Sequence, residues 1–274
     1  MTKKPGLLGR SYTAFILFFL YAPIFILIAF SFNSSKSRSV WSGFTLDWYR
    51  ALLQDASIMN AFYTTIAIAL LSAFIATVAG TFAAVGFHNM KRRWRVPLTH
   101  VNNIPMMNAD IVTGVSLALL FVSLGSAMKF NLGFGTLLIA HITFNIPYVI
   151  LSITPKLRQL DNNLVDAACD LGCTWMKAFT KVIIPEIMPG IINGLIIAFT
   201  LSVDDFVISY FTAGGNVMTL PMQIFAMTRR RISPEINALS TIMFMTVLIL
   251  LVVINVREAR QAERMKKSAN ALSK

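Results

Sequence analysis

Charge is scarce in this sequence. Only 13% of its 274 residues are Asp, Glu, Lys or Arg, about half the share usual in a soluble domain, and mean hydropathy is +0.67. Long uncharged runs account for the deficit and exclude a water-soluble globule. Cysteine is nearly absent. The two present, Cys169 and Cys173, stand one helical turn apart, which excludes a disulfide-built fold and reads as reduced thiols packed on a helix. The three histidines, His88, His100 and His141, are too scattered to hold a metal. No Gly-rich phosphate loop, nucleophile elbow or His-Glu-x-x-His occurs. No metal site, catalytic residue or bound cofactor is therefore expected of this chain.

What the sequence has in abundance is apolar length. Runs of the roughly 20 residues needed to cross a bilayer recur six times: Tyr12–Phe32, Ala61–Phe87, Ile104–Leu124, Gly135–Ile153, Gly190–Phe211 and Ile236–Val256. The expected fold class is an all-α integral membrane protein with six transmembrane helices over residues 12–256. A short N-terminal segment (1–11) precedes them and a basic tail (257–274) follows. The first run comes after Lys3, Lys4 and Arg10, as a secretory signal would. It exceeds the ~7–15-residue core of such a signal and lacks a small-residue cleavage pattern at Phe32-Asn33, so it reads as a retained anchor.

The net charge of +12 invites a nucleic-acid reading that the distribution rejects. Most basic residues cluster at the N-terminus, at 91–95, between Lys156 and Lys181, and from Arg257 to Lys274. With six spans these four clusters share one side. The positive-inside rule makes that side the cytoplasm and puts both termini there, with the end of the tail expected to be frayed or to lie on anionic membrane lipid. Arg229-Arg230-Arg231 is the exception, falling in the external loop before the sixth span.

Between the fourth and fifth runs a polar stretch, 155–189, contains Asp166-Ala167-Ala168, then Gly172, then Pro185. A plain connector has no need of small residues, a glycine and a proline at such offsets. A docking helix does: alanines for close packing, Gly172 for a turn or close approach, Pro185 to stop the element before the next span. Three acids fall inside spans: Asp110, Asp204 and Asp205. A carboxylate at the bilayer centre costs about 2.5–3.5 kcal/mol, and no span offers an evident Lys or Arg to pair with it. Such acids must face a cavity, a partner subunit or a cation in passage. Helical rise puts Asp204 about 21 Å along the fifth span and Asp110 about 9 Å into the third, as successive stations rather than one pocket. His141, a turn from Asn145, is expected to hydrogen-bond between helices. The first external loop, 33–59, sets Trp41, Phe44, Trp48 and Tyr49 near Asp47 and Asp55, an arrangement that suits an ammonium or an interfacial belt.

The Asp-Ala-Ala, Gly and Pro spacing resembles the cytoplasmic coupling motif of bacterial ABC importer permeases. FNSSKS after the first span, DWYRALL in the external loop, AHITFNIPYVI in the fourth span, LSVDDFV in the fifth and ISPEINALSTI entering the sixth narrow the resemblance to spermidine/putrescine permeases, from Tyr12 to about Val256. The resemblance implies a MetI-like fold with a cytoplasmic coupling helix, in the bacterial plasma membrane. It implies a homologous second permease subunit, a homodimeric ATPase that uses ATP and Mg, and an external polyamine-binding protein. Asp166, Ala167, Ala168, Gly172 and Pro185 would then dock on the ATPase. Trp48, Asp110, Ser202, Asp204 and Asp205 would lie along the polyamine route, Ser202 on resemblance alone. Two departures stand out. Asp166 replaces the usual Glu, and Ala109 precedes Asp110 where proline is usual, with Pro105 expected to supply the helix break. The same machine with another cargo (amino acid, opine or metal) stays open. So does a proton-driven cation transporter, against which the coupling motif and the lack of an evident inverted repeat both count.

Overall fold

A computed structural model describes residues 7–35, 40–160, 167–168, 170, 172–230 and 234–272. Among them the chain is helical, with one isolated extended bridge, Asn33↔Phe44. In order the helices are α1 (Leu7–Ser31), α2 (Asp47–Gln54), α3 (Ala56–Asn89), α4 (Arg92–Met107), α5 (Asp110–Met128), α6 (Phe134–Gln159), α7 (Trp175–Asp204), α8 (Val207–Thr212), α9 (Leu220–Arg230) and α10 (Pro234–Leu272). Six are long and apolar enough to cross a membrane: α1, α3, α5, α6, α7 and the Glu235–Val253 part of α10.

Two spans differ most from their expected limits. The third begins at Asp110 rather than Ile104, because Pro105 does not break the chain. It lies inside α4, and the break follows at Asn108 (ψ 150°) and Ala109 (ψ 138°). Asp110 then occupies the first turn of α5, where a carboxylate meets the positive end of the helix. The fifth span runs over Trp175–Asp204 instead of Gly190–Phe211. Pro185 does not stop an element as expected; it lies within continuous helix. A π-helical turn, Phe179–Ile183, precedes it, with the Ile184 N–H donating to the Phe179 carbonyl. The wider turn is set where proline lacks an N–H and its ring would press on the preceding turn. The connection between α6 and α7 is accordingly 160–174, shorter than 155–189.

The described residues group into two compact units, Met1–Met59 with Gln223–Thr246, and Asn60–Met222 with Val247–Lys274. The second contains the acids and the coupling segment. Its core is α6, closely approached by α3 and α7 at glycines. A Cβ on Gly80 would lie 2.7 Å from Val149 Cγ1, and one on Gly190 3.1 Å from the Ile153 backbone. Lipid tails are as apolar as leucine, so helices in a bilayer associate through such small-residue contacts rather than by expulsion of water. Ala73, Val149, Ile153, Leu157, Phe179 and Ile187 fill the space between them. Gly114 does the same for α5 against α8, facing Ile208 and Phe211.

Candidate translocation and coupling sites

The fifth span ends where its acids begin. Asp204 closes α7, and Asp205 is extended (φ −65°, ψ 122°). The Asp205 carboxylate accepts from the Ile208 N–H (3.3 Å), the Ser209 N–H (2.7 Å) and the Ser209 hydroxyl (2.7 Å). It caps the first turn of α8, satisfying N–H groups that a helix start leaves without partners. The two acids are therefore not neighbours on one helix. Asp204 remains exposed at the C-terminus of α7, the negative end of the helix, where a carboxylate gains nothing from the fold.

Asp110 joins them. It is exposed at the head of α5 and within electrostatic reach of Asp204 and of Tyr148 on α6. The contact of α5 with α8 at Gly114 explains how: four residues from Asp110, the two elements touch. Asp204 thus lies within electrostatic reach of both Asp110 and Asp205. Among the described residues no Lys or Arg forms an ion pair with any of the three.

Behind the cluster lies a buried polar network. His141, fully buried, has Nε2 3.0 Å from Ser209 Oγ and 3.6 Å from Asp205 Oδ2. Ser209 commits its proton to Asp205, so His141 donates from Nε2. One turn on, Asn145 Nδ2 donates to Ser202 Oγ (2.8 Å), which lies 3.1 Å from Ser72 Oγ. The network ties α3, α6, α7 and α8 together. Ser202, only 3% exposed, has its hydroxyl engaged there, and His141 bonds between helices as expected.

The coupling segment is built differently. Asp166 lies outside the described residues, as does Cys169. Ala167, Ala168 and Asp170 are helical, and Gly172 follows with φ +82°. The Cys173 N–H donates to the Ala168 carbonyl at 3.0 Å. A six-to-one bond around a left-handed glycine is the Schellman ending of a helix, so Gly172 terminates the coupling helix. Among the described residues nothing lies within 4 Å of the Cβ it lacks. Only Cys173 and Thr174 separate Gly172 from α7. There Trp175 stacks on Phe179 (centroids 5.5 Å) and Phe179 on Phe82 of α3 (5.8 Å). This stack ties the start of α7, just past the coupling helix, to α3, with Phe179 also opening the π turn.

Residues 76–267 match the family described as binding-protein-dependent transport system inner membrane component. The chain belongs to that family. It is 43% identical to the putrescine transport system permease protein PotI of Escherichia coli K12, over 82% of this chain and 81% of the relative. It is 37% identical to the spermidine/putrescine transport system permease protein PotC of the same organism, over 90% and 92% respectively. A bacterial ABC transporter involved in import of the acidic polysaccharide alginate superposes with a TM-score of 0.70 at 14% identity, covering 91% of this chain and 95% of that one. An amino acid ABC transporter gives 0.56 at 19%, covering 79% and 99%. These two share the fold. This inner-membrane component is thus a non-hydrolysing, multi-pass permease.

In the permease, Trp48 is tied to its own loop. Its Nε1 donates to the Asn33 carbonyl at 2.7 Å. The Asn33 side chain, 1% exposed, donates to Val40 O and accepts from the Ser42 N–H. Phe44 stacks on Phe32, and Tyr49 hydroxyl meets Ser31 Oγ at 2.7 Å. The aromatics fold the loop onto the end of α1. Arg229 and Arg230 end α9, with the Arg229 guanidinium 4.7 Å over the Phe225 ring; Arg231 lies outside the described residues. Tyr148 and the Trp175–Phe179–Phe82 stack are the additions that residue patterns did not mark. Tyr148 stands three residues from Asn145 and seven from His141, a one-face spacing that a helical projection of the fourth span would have exposed.

Proposed function

We propose that this permease carries polyamines into the bacterial cell by alternating access, with a homologous second permease. A homodimeric ATPase using ATP and Mg would drive the cycle, and an external binding protein would deliver the cargo. The observation that carries the cargo reading is the exposed pair Asp110 and Asp204, clustered without a cationic partner and with Asp204 set against a helix C-terminus. That placement disfavours the empty site and favours an ammonium in it. The names of the PotI and PotC relatives support the same cargo class. Asp110 and Asp204 are the substrate contacts. Asp205 and Ser202 hold the break and the helices behind it, and Trp48 holds the outer loop. Ala167, Ala168 and Gly172, with Asp166, are the ATPase-facing surface on the cytoplasmic side, where both termini also lie.

The test is ATP hydrolysis by the reconstituted complex in the presence of loaded binding protein. Putrescine or spermidine loading should accelerate hydrolysis. Acceleration by an amino acid, opine or metal complex, with polyamines inert, would overturn the cargo while leaving the machine. Uptake that persists without the ATPase and collapses with the proton gradient would overturn both.

A further inference from the structure

A cavity of about 400 Å³ opens where α3, α4 and α6 meet, away from the acid cluster. Its volume is within the range of roughly 300–1,000 Å³ usual for small-molecule sites. Arg92, Arg95 and Arg158 line one part, with His88 and His100. Arg95 and Arg158, from different helices, both lie within electrostatic reach of His88. Among the described residues no acid lines the cavity and none of the three arginines forms an ion pair. Phe87, Val96, Ile150 and Leu157 line the remainder.

Three arginines converging without a carboxylate repel one another, and an isolated fold has no use for that. An anion relieves it, and planar guanidinium groups suit phosphate oxygens. The cavity is also half apolar, which a soluble phosphate does not need. Its position supplies the third constraint: α3 ends at Asn89 and α6 at Gln159, so His88 and Arg158 stand where two apolar spans run out. Hydrocarbon on one side and phosphate on the other is the composition of a bilayer at that depth. We propose that this cavity binds an anionic phospholipid, its phosphate on Arg92, Arg95 and Arg158 and its acyl end along Phe87, Val96 and Ile150. A polyamine is excluded by like charge. The site lies at the base of α6, from which the chain runs directly into the coupling segment, so a seated headgroup braces that base.

Native mass spectrometry of the purified transporter, stripped of lipid and then given phosphatidylglycerol or phosphatidylcholine, tests the proposal. Phosphatidylglycerol should be retained preferentially. The double substitution Arg92→Gln/Arg158→Gln should lower its apparent affinity roughly ten-fold or more, given the usual gain per basic residue near anionic lipid. Arg93→Gln, on the same helix but off the cavity, should leave it unchanged. Val96→Trp, which fills the apolar part and keeps every charge, should also expel the lipid. Equal retention of the two lipids, or equal loss in Arg93→Gln, would reduce the effect to diffuse surface charge and overturn the proposal. Displacement of phosphatidylglycerol by inorganic phosphate alone would transfer the site to a soluble anion. Retention only after a co-purifying subunit is removed would assign the cavity to that subunit. None of these readouts depends on the transported cargo.

Discussion

Two adjacent carboxylates do different things in this permease. Asp205 accepts three hydrogen bonds at the head of α8, while Asp204 faces outward at the end of α7. Substitution should separate them. Asp205→Asn keeps one acceptor oxygen for the Ser209 bonds and gives up the bond from Ile208, whereas Asp205→Ala loses all three and should cost about 1 kcal/mol of stability, read as a lower midpoint of thermal unfolding in detergent. Asp204→Asn should leave unfolding unaltered and raise the polyamine concentration for half-maximal uptake roughly 10- to 100-fold, the equivalent of one charge-assisted contact of about 1.5–3 kcal/mol. Normal uptake by Asp204→Asn would remove that side chain from the route. Sequence marked both acids as anomalous, because a carboxylate in an apolar run needs an explanation. It could not divide their roles, since the division depends on a helix break that the apolar pattern runs straight through.

At the scale of elements, the coupling helix is defined by how it ends. Gly172 holds φ +82° with open space where its side chain would be. Gly172→Ala should therefore act through backbone strain alone, about 1 kcal/mol, with ATP-coupled uptake reduced only slightly. Gly172→Arg adds the same strain and projects bulk from the surface proposed to face the ATPase, and should abolish stimulated hydrolysis in assembled complexes. Equal, mild effects of the two would mean that Gly172 is needed for its turn and not for docking. Phe179→Ala probes the other end of the link. It removes the ring between Trp175 and Phe82, and truncating a buried phenylalanine costs about 3–5 kcal/mol. The expected outcome is ATP hydrolysis that no longer tracks uptake, with a lowered unfolding midpoint. The glycine was legible from spacing. The stack was not, because Phe82 and Phe179 are distant in sequence and nothing local distinguishes them from other aromatics in apolar runs. Pro185 was misread for the opposite reason: its local rule is to end a helix, and a π turn one step earlier overrides it.

For the whole molecule, orientation is the open consequence. The proposed topology puts Ser42 outside and Arg93 inside. In intact cells a membrane-impermeant thiol reagent should label Ser42→Cys and reach Arg93→Cys only after permeabilisation, both made in a background lacking Cys169 and Cys173. The reverse pattern would invert the topology and put the four basic clusters outside, against the positive-inside rule. Six spans, their basic flanks and the polar coupling stretch were determined by the sequence itself. Bilayer thickness, the cost of buried charge and anionic lipid act on composition and order along the chain, with no need of tertiary contacts. The meeting of Asp110 with Asp204, the division of labour at Asp205, the burial of Ser202 beside Asn145 and the convergence of Arg92, Arg95 and Arg158 were decided only in three dimensions. All but the local break at Asp205 join residues from different helices, and in a membrane the pairing of helices is set by small-residue fit and interhelical hydrogen bonds, which a linear hydrophobic pattern does not encode.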